Sequence, residues 1–251
     1  MPRIYIPNIS VKENQISIAG DNAKYLVSVL RCKKGDELIV FDGEGNSLRT
    51  EILKADRKEV IADVIGKVPC DIESPINLIL VLGLLKGQKM DMVIQKATEL
   101  GVKEIMPVIT ERCQSRETRK VGRWRKIAEE ASRQCGRTMI PFIHEPVDYV
   151  QFLGKVCQLR FGEIIGLIFW EEGELSVKDA FHKISSSQIA RFSVLPIYIL
   201  IGPEGGFTKE EVSLAEAKGF IVSSLGKRIL RAETAAISAV VLIQFLLGAL
   251  D

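Results

Sequence analysis

The fold of this chain is decided by residues 197–211, which read IYILIGPEGGFTKEE. The apolar run over Ile197–Ile201 predicts a buried strand, and Thr208 followed three residues later by Glu211 predicts a capping box that opens a helix. Between them lies a glycine-rich segment, residues 202–207. Loops that leave the carboxyl ends of parallel strands are where α/β proteins bind ligands. This segment is therefore a candidate binding loop, with an ordinary strand-to-helix turn as the alternative.

Strands and helices alternate on both sides of this loop. Apolar runs predict further strands over residues 76–85, 103–109, 164–170 and 220–224. Helical spacing predicts two helices that stop at Gly101 and Gly219, and two more over residues 122–135 and 233–247. This alternation predicts an α/β fold with a parallel sheet.

The first 73 residues have a different pattern. Short β-rich segments cover residues 4–6, 15–18, 37–41, 48–53 and 60–64, and one helix fits residues 21–30. Closely spaced strands with a single helix predict a small β-barrel. Because prolines at positions 69 and 75 bracket a linker, we predict one domain over residues 1–73 and a second over residues 74–251.

The charge of the chain is unevenly distributed, although the net charge is only +2. The net charge is −1 over residues 1–73, +6 over residues 74–137 and −3 over residues 138–251. The basic excess is densest over residues 112–126, where Glu117 is the one acidic residue beside seven Lys and Arg. A polyanion is the natural partner of such a segment. The alternative is a solvent-exposed helix face or loop. A run of charged residues, taken by itself, favours this alternative.

The remaining composition argues against a membrane protein or a metalloprotein. The longest apolar stretch, residues 235–250, is interrupted by polar residues and is shorter than the roughly 20 residues of a spanning helix. The five cysteines are scattered without a C-x-x-C pair, and only two histidines could join them. No basic-then-apolar leader opens the chain. We therefore expect a cytoplasmic protein with free thiols, no membrane segment and no metal site.

A second unusual loop covers residues 225–235, which read LGKRILRAETA. It follows a predicted strand and enters the last predicted helix, where Ala232, Thr234 and Ala235 permit close packing. The alternative is an ordinary loop in which Arg231 and Glu233 cap or pair locally. Neither residues 202–207 nor residues 42–46 form a Walker A or a G-x-G-x-x-G sequence, so a nucleotide hydrolase is disfavoured.

Together the two loops resemble the signature of the ribosomal small subunit methyltransferase E family. Members of this family belong to the SPOUT superfamily and modify N3 of a uridine in 16S rRNA. The similarity extends in order along nearly the whole chain, through residues 1–5, 29–36, 86–101 and 130–137. The sequence departs from the family at Lys24 and Tyr25, where histidine is usual, which puts an N-terminal RNA contact in doubt. Residues 151–195 match poorly.

The resemblance implies a PUA-like β-barrel followed by a SPOUT α/β domain with a parallel sheet and a C-terminal trefoil knot. It also implies S-adenosylmethionine as the cofactor, the small ribosomal subunit and its 16S rRNA as the partner, and a homodimer with the active site at its interface. Transferred by position, cofactor binding falls to Ile201, Gly202, Gly205, Gly206, Leu225, Gly226, Ile229, Leu230 and Thr234.

Two residues of these loops are candidates for catalysis. Uridine N3 carries a proton and is a poor nucleophile until it loses that proton, so the site needs a cation for the anion or a base. We expect Arg231 in the first role and Glu204 in the second, with local pairing or capping as an equally open alternative for both. RNA contacts are expected from Arg31, Lys86, Lys89, Arg112, Arg116, Arg119, Arg123 and Arg137.

Several alternatives stay open at this point. Trp124 could stack on a base, although a Trp at helical spacing is more often a core residue. The acceptor could be a ribose 2′-oxygen or guanine N1, and a non-catalytic RNA-binding assembly factor would have a similar charge pattern. The sequence does not distinguish free rRNA from an assembled subunit as the substrate.

Overall fold

A computed structural model describes residues 1–69, 71–156, 164–184, 186–189 and 191–250. The chain divides into two compact units. The first comprises Met1–Glu73 with Glu129–Ile140, and the second comprises Ser74–Ala128 with Pro141–Asp251.

The first unit is built on one five-stranded sheet. Its strands are β1 (Arg3–Tyr5), β2 (Gln15–Ala19), β3 (Glu37–Phe41), β4 (Ser47–Ala55) and β5 (Glu59–Lys67). They lie in the order β1-β3-β4-β5-β2, and all pairs are antiparallel except β1 with β3. All five predicted strands are confirmed, with ends that differ by up to three residues. The predicted helix is a short α1 (Asp21–Lys24) that continues as a π-helical turn over Tyr25–Val29.

The second unit is built on a seven-stranded sheet in which every pair is parallel. Its strands are β6 (Leu78–Gly83), β7 (Glu104–Ile109), β8 (Phe142–Ile143), β9 (Val147–Asp148), β10 (Ile165–Phe169), β11 (Ile197–Ile201) and β12 (Ile221–Ser223). The order is β12-β10-β11-β6-β7-β8, with β9 also paired to β7. The predicted parallel sheet is therefore confirmed.

Helices connect and cover these strands. They are α2 (Lys89–Glu99), α3 (Val121–Cys135), α4 (Tyr149–Val156), α5 (Val177–His182), α6 (Ser186–Ile189), α7 (Lys209–Ala217) and α8 (Ala232–Leu246). The capping box at the start of α7 is confirmed, since the Glu211 N–H donates to Thr208 Oγ1 at 3.2 Å and the Thr208 N–H donates to Glu211 Oε2 at 2.9 Å. Gly101 and Gly219 follow α2 and α7 with φ of +85° and +88°, a backbone conformation that suits glycine.

The sequence analysis missed the short elements between α3 and β10 and those between β10 and β11. The helix α4 has eight residues and α5 has six, which is less than the window over which helical periodicity becomes clear. The missed helix α4 nevertheless contributes to the core, because Tyr149, Phe152 and Leu153 are buried together with Ile168 of β10 and Leu200 of β11.

The strand order explains why the two unusual loops can meet. β10 lies between β11 and β12, with Phe169 in register with both Ile201 and Ser223. Because these strands are parallel, the loops that leave their carboxyl ends emerge at one edge of the sheet. The end of β6 also reaches this edge, since a Cβ added to Gly83 would lie 2.5 Å from the backbone nitrogen of Pro203.

The sequence analysis also made predictions about the cysteines, metal binding, membrane-spanning helices and a knot in the backbone. Cys32, Cys113 and Cys135 are free, whereas Cys70 and Cys157 lie outside the described residues. Within the described ranges, no helix is both long and apolar enough to cross a bilayer, and no group of three or more His, Cys, Asp or Glu could hold a metal ion. The trefoil knot stays a prediction.

Candidate active site

A cavity of about 270 Å³ lies at the carboxyl edge of the parallel sheet. Its walls come from the ends of β10 and β11, the loop after β12 and the start of α8. The two sequence loops therefore meet in a single space. Of the residues predicted for catalysis or cofactor binding, the cavity is lined by Ile201, Gly202, Glu204, Gly205, Gly206, Leu225, Gly226, Ile229, Leu230 and Arg231. Thr234 is exposed on the first turn of α8 and does not line it.

The glycines of the first loop are needed for the packing of the loop itself. A Cβ on Gly202 would lie 3.0 Å from the carbonyl carbon of Gly206 and from the nitrogen of Phe207. A Cβ on Gly205 would lie 2.9 Å from Cβ of Arg112, and Gly206 has a φ of +69°. The loop thus turns back on itself at the end of β11, which keeps its backbone against the cavity.

Glu204 is anchored to the loop between β6 and α2. Its Oε1 accepts hydrogen bonds from the Lys86 N–H at 3.0 Å and from Lys89 Nζ at 3.2 Å. Burial raises the pKa of Glu204, but these hydrogen bonds and the Lys89 charge outweigh burial, so the net pKa is lowered. Its Oε2 is buried without a hydrogen-bond partner in the described part of the chain. Glu204 is therefore an ionised anchor and a weak base.

Lys89 lies between two carboxylates of the cavity. Its Nζ is 3.2 Å from Glu204 Oε1 and 4.0 Å from Glu233 Oε2. The side chains of Glu204 and Glu233 are 18% and 12% exposed, and Oε2 of Glu233 is buried beyond hydrogen-bond distance of any described donor. The expectation that Lys89 contacts RNA phosphates is therefore corrected, because its charge is already neutralised by two carboxylates.

Arg231 is differently placed. It is the residue before the first turn of α8, it is exposed, and it lines the cavity. Its guanidinium makes no ion pair or hydrogen bond with the described residues, so its charge is available to a ligand. The position of Arg231 is therefore compatible with the prediction that it presents a positive charge to the cavity.

Comparisons with known proteins bear on both units. Residues 72–244 match the RNA methyltransferase domain family, and residues 18–65 match the RNA methyltransferase PUA domain family. The ribosomal RNA small subunit methyltransferase E of Buchnera aphidicola is 32% identical over 99% of this chain and 94% of its own length. This chain belongs to the methyltransferase E family.

Solved structures agree with membership of the methyltransferase E family. The enzyme of that name from Neisseria gonorrhoeae, bound to S-adenosyl methionine, has a TM-score of 0.85 at 32% identity, with 98% of each chain covered. A putative methyltransferase from Legionella pneumophila, in complex with the same cofactor, has a TM-score of 0.83 at 32% identity, with 97% of each chain covered. The fold is therefore a PUA-like domain followed by a SPOUT methyltransferase domain.

Several residues of this methyltransferase E cavity were not predicted. Phe169 and Trp170 at the end of β10 supply aromatic walls, and Glu171, Arg228 and Glu233 supply charges. The segment 169–170 had been recognised only as a strand end. Phe169, Trp170 and Glu171 could have been found only from the position of β10 beside β11, which depends on strand order and not on local sequence.

Six of the eight predicted RNA contacts separate into three groups. Arg31, Lys86, Arg116 and Arg119 are exposed, and binding of RNA there stays a prediction. Arg112 donates to the carbonyl oxygens of Gly205 at 3.1 Å and Phe207 at 3.3 Å, so it supports the first loop. Arg123 pairs with Asp91 at 2.8 Å.

One expected RNA contact is wrong, and the structure decides between the two alternatives for Trp124. Arg137 is 3% exposed, and its Nε donates to Glu73 Oε2 at 3.0 Å, so it stabilises the first unit and cannot reach a phosphate. Trp124 is 2% exposed, so its ring belongs to the core and has no open face on which a base could stack. The core alternative for Trp124 is the correct one.

Proposed function

We propose that this chain transfers the methyl group of S-adenosylmethionine to N3 of a uridine in 16S rRNA. The observation that carries the proposal is the meeting of residues 202–207 and 225–235 in one cavity at the carboxyl edge of the sheet. Two solved relatives with nearly the same fold were determined with this cofactor. Membership of the methyltransferase E family supports ribosomal RNA of the small subunit as the substrate.

The lining of the cavity fits such a cofactor. Phe169, Ile201 and Leu225 provide apolar surface for an adenine ring. Glu204 and Glu233 each present a buried carboxylate oxygen without a hydrogen-bond partner among the described residues. Such oxygens are costly to leave unsatisfied and would accept hydrogen bonds from ammonium or hydroxyl groups of a ligand. The ammonium and the ribose hydroxyls of S-adenosylmethionine are donors of this kind.

The protein groups of the cavity have separable roles in the reaction. When bound, S-adenosylmethionine supplies an electrophilic methyl carbon, so the protein mainly orients the reacting atoms. Arg231 would stabilise the anion that uridine becomes when N3 loses its proton. Glu204 is less suited to accept that proton, because its pKa is lowered. Glu233 is the carboxylate we propose to hold the proton, and Glu204 would position Lys89 and the loop after β6.

The rest of the chain would bind the RNA. We propose residues 1–73 as an RNA-binding domain and residues 74–251 as the catalytic domain, with phosphate contacts from Lys86, Arg116 and Arg119. We also propose that the enzyme acts in the cytoplasm as a homodimer. Exposed apolar side chains support a dimer, since Leu242 and Phe245 lie on one face of α8 and Ile229 is 86% exposed beside the cavity.

The proposal is tested in two steps. Calorimetry measures binding of S-adenosylmethionine, and a folded protein that fails to bind near micromolar concentration would identify a non-catalytic RNA-binding factor. Methylation of 16S rRNA transcripts and of small-subunit particles, followed by mass spectrometry of nucleosides, locates the methyl group. A methyl group on uridine N3 is expected, whereas one on a ribose 2′-oxygen or on guanine N1 would reassign the acceptor.

A further inference from the structure

A second cavity, of about 300 Å³, lies beside the loop between β6 and α2. Leu84 and Leu85, which follow β6, and Trp124 of α3 form a buried apolar part of its lining. Lys86, Arg119 and Lys120 line it with exposed cations. The cavity therefore combines an apolar floor with a basic rim.

Trp124, which lines the second cavity, has a polar group without a partner in the described part of the chain. Trp124 is 2% exposed, and its Nε1–H is buried with no acceptor among the described residues. Tryptophan in a protein core usually finds a partner for this group, because a buried donor without one is destabilising. An acceptor atom of a ligand in the cavity would satisfy it. The function described so far uses two cations of the rim, Lys86 and Arg119, but neither this indole group nor the apolar floor.

The charge of the rim indicates the class of ligand. Three cations face one acidic lining residue, Glu117, and the rim also has the hydroxyls of Ser115 and Thr118. Inorganic phosphate alone would leave the leucines and the indole unused. An apolar ligand would leave the cations unused. A nucleotide uses both, since its base is flat and largely apolar with carbonyl acceptors, and its phosphate is anionic.

The two cavities are linked by one loop. The backbone N–H of Lys86, whose residue lines the second cavity, donates to Glu204 of the first at 3.0 Å. Lys89, at the start of α2, lines the first cavity and bonds the same carboxylate. A single strand of RNA that delivers its target base to the first cavity would therefore pass directly beside the second.

We propose that the second cavity binds a nucleotide of the RNA substrate other than the one that is methylated. The base would lie over Leu84 and Leu85 with an acceptor atom towards the Nε1–H of Trp124, and the phosphate would contact Arg119 and Lys120. The inference rests on the proposed function, because it assumes that RNA is the substrate. It assigns to this cavity a part in choosing the site on the RNA.

The two tryptophans of the chain allow the proposal to be tested directly. Trp170 lines the first cavity and Trp124 lines the second, so W170F leaves Trp124 as the sole indole fluorophore. This variant is titrated with nucleoside 5′-monophosphates, inorganic phosphate and a single-stranded RNA that contains the target uridine. We expect a saturable change of Trp124 emission with nucleotides and RNA and none with phosphate. An RNA that binds by anisotropy but leaves the emission unchanged would overturn the proposal.

A matched pair of lysine variants separates the cavity from general charge attraction. Lys120 lines the cavity and Lys126 does not, although both are exposed and lie in the same basic segment. We expect K120A to weaken RNA binding about five- to tenfold and K126A less than twofold. Equal losses would contradict the proposal. W124F should also weaken RNA binding while its thermal unfolding and its affinity for S-adenosylmethionine match those of the wild type.

The outcomes distinguish this inference from the proposed function. If the wild type binds S-adenosylmethionine and methylates RNA but Trp124 emission does not respond, only the second nucleotide site is refuted. If the wild type binds neither cofactor nor RNA, the proposed function itself fails. If the W124F protein does not fold, the test relies on K120A and K126A. Both lysines are exposed, so these substitutions leave the core intact.

Discussion

Lys89→Met tests the charge arrangement of the first cavity most directly. The substitution keeps the length of the aliphatic chain but removes the ammonium that lies 3.2 Å from Glu204 Oε1 and 4.0 Å from Glu233 Oε2. A hydrogen bond to a charged group contributes about 1.5–3 kcal/mol to stability. Because the Lys89 side chain is 39% exposed, solvent screening reduces this contribution, and we expect a loss of about 1–2 kcal/mol at pH 7.

The pH dependence of this loss follows from the lowered pKa of Glu204. A carboxyl group whose pKa is lower in the folded state stabilises the protein above its unfolded pKa of about 4.3, and this stabilisation is lost as the pH falls through the folded value. In the variant the pKa of Glu204 should rise, so less stability is lost on acidification. The difference between wild type and Lys89→Met should therefore be large at pH 7 and small near pH 3.

Urea unfolding at both pH values measures this difference, and the chain offers a matched control. Lys96 is on the same helix and pairs with Glu99 at 2.9 Å, but it lies outside the cavity and its side chain is 43% exposed. Lys96→Met should cost at most about 0.5 kcal/mol, as helical i,i+3 pairs do. The reasoning is refuted if the two variants are equally destabilised at pH 7, or if the loss in Lys89→Met does not depend on pH.

Four further predictions concern catalysis, RNA, the core and assembly. Arg231→Ala should lower kcat about 100-fold or more while calorimetry shows cofactor affinity within about threefold; equal losses would contradict its role toward uridine. Charge reversal at Arg116 and Arg119, leaving Arg123 in its pair with Asp91, should flatten the salt dependence of RNA binding, and an unchanged slope would exclude this surface. Arg137→Ala should lower the free energy of unfolding in urea by about 3 kcal/mol, because the partly buried carboxylate of Glu73 loses its cation. The same variant should leave the salt dependence of RNA binding unchanged. Phe245→Glu should convert a dimer to monomers in sedimentation experiments, and an unaltered mass would place the interface elsewhere.

Much of the fold could be predicted because the decisive segments are locally unambiguous. The strand over Ile197–Ile201 was predicted to the residue, and the capping box of Thr208 and Glu211 was found where the sequence placed it. Buried parallel strands are continuous apolar runs, and caps have short signatures, so neither depends on distant partners. The elements that were missed, α4 and α5, are too short for periodicity to distinguish them from loops.

The candidate site was predictable only as far as its loops. The sequence motifs identified residues 202–206 and 225–231, most of which line the cavity, but they did not identify Phe169, Trp170 and Glu171 as their neighbours. The same limit explains the errors at Arg137 and Lys89. A basic residue in a basic segment looks available for phosphate contacts, and only the folded chain shows whether a carboxylate already neutralises it.

From the sequence alone, Glu204 could be either a general base or a structural partner in an ion pair. Its position in the glycine-rich loop suits either role, and the decision depends on a backbone N–H that is 118 residues away in the sequence. That N–H reaches Glu204 because β6 lies beside β11 and because Gly83 lets the loop after β11 cross the end of β6. A carboxylate that accepts from Lys86 and Lys89 is stabilised as an anion and accepts a proton poorly. The carboxylate of Glu233, in the first turn of α8, accepts no hydrogen bond from the described residues and is therefore the stronger candidate for proton transfer.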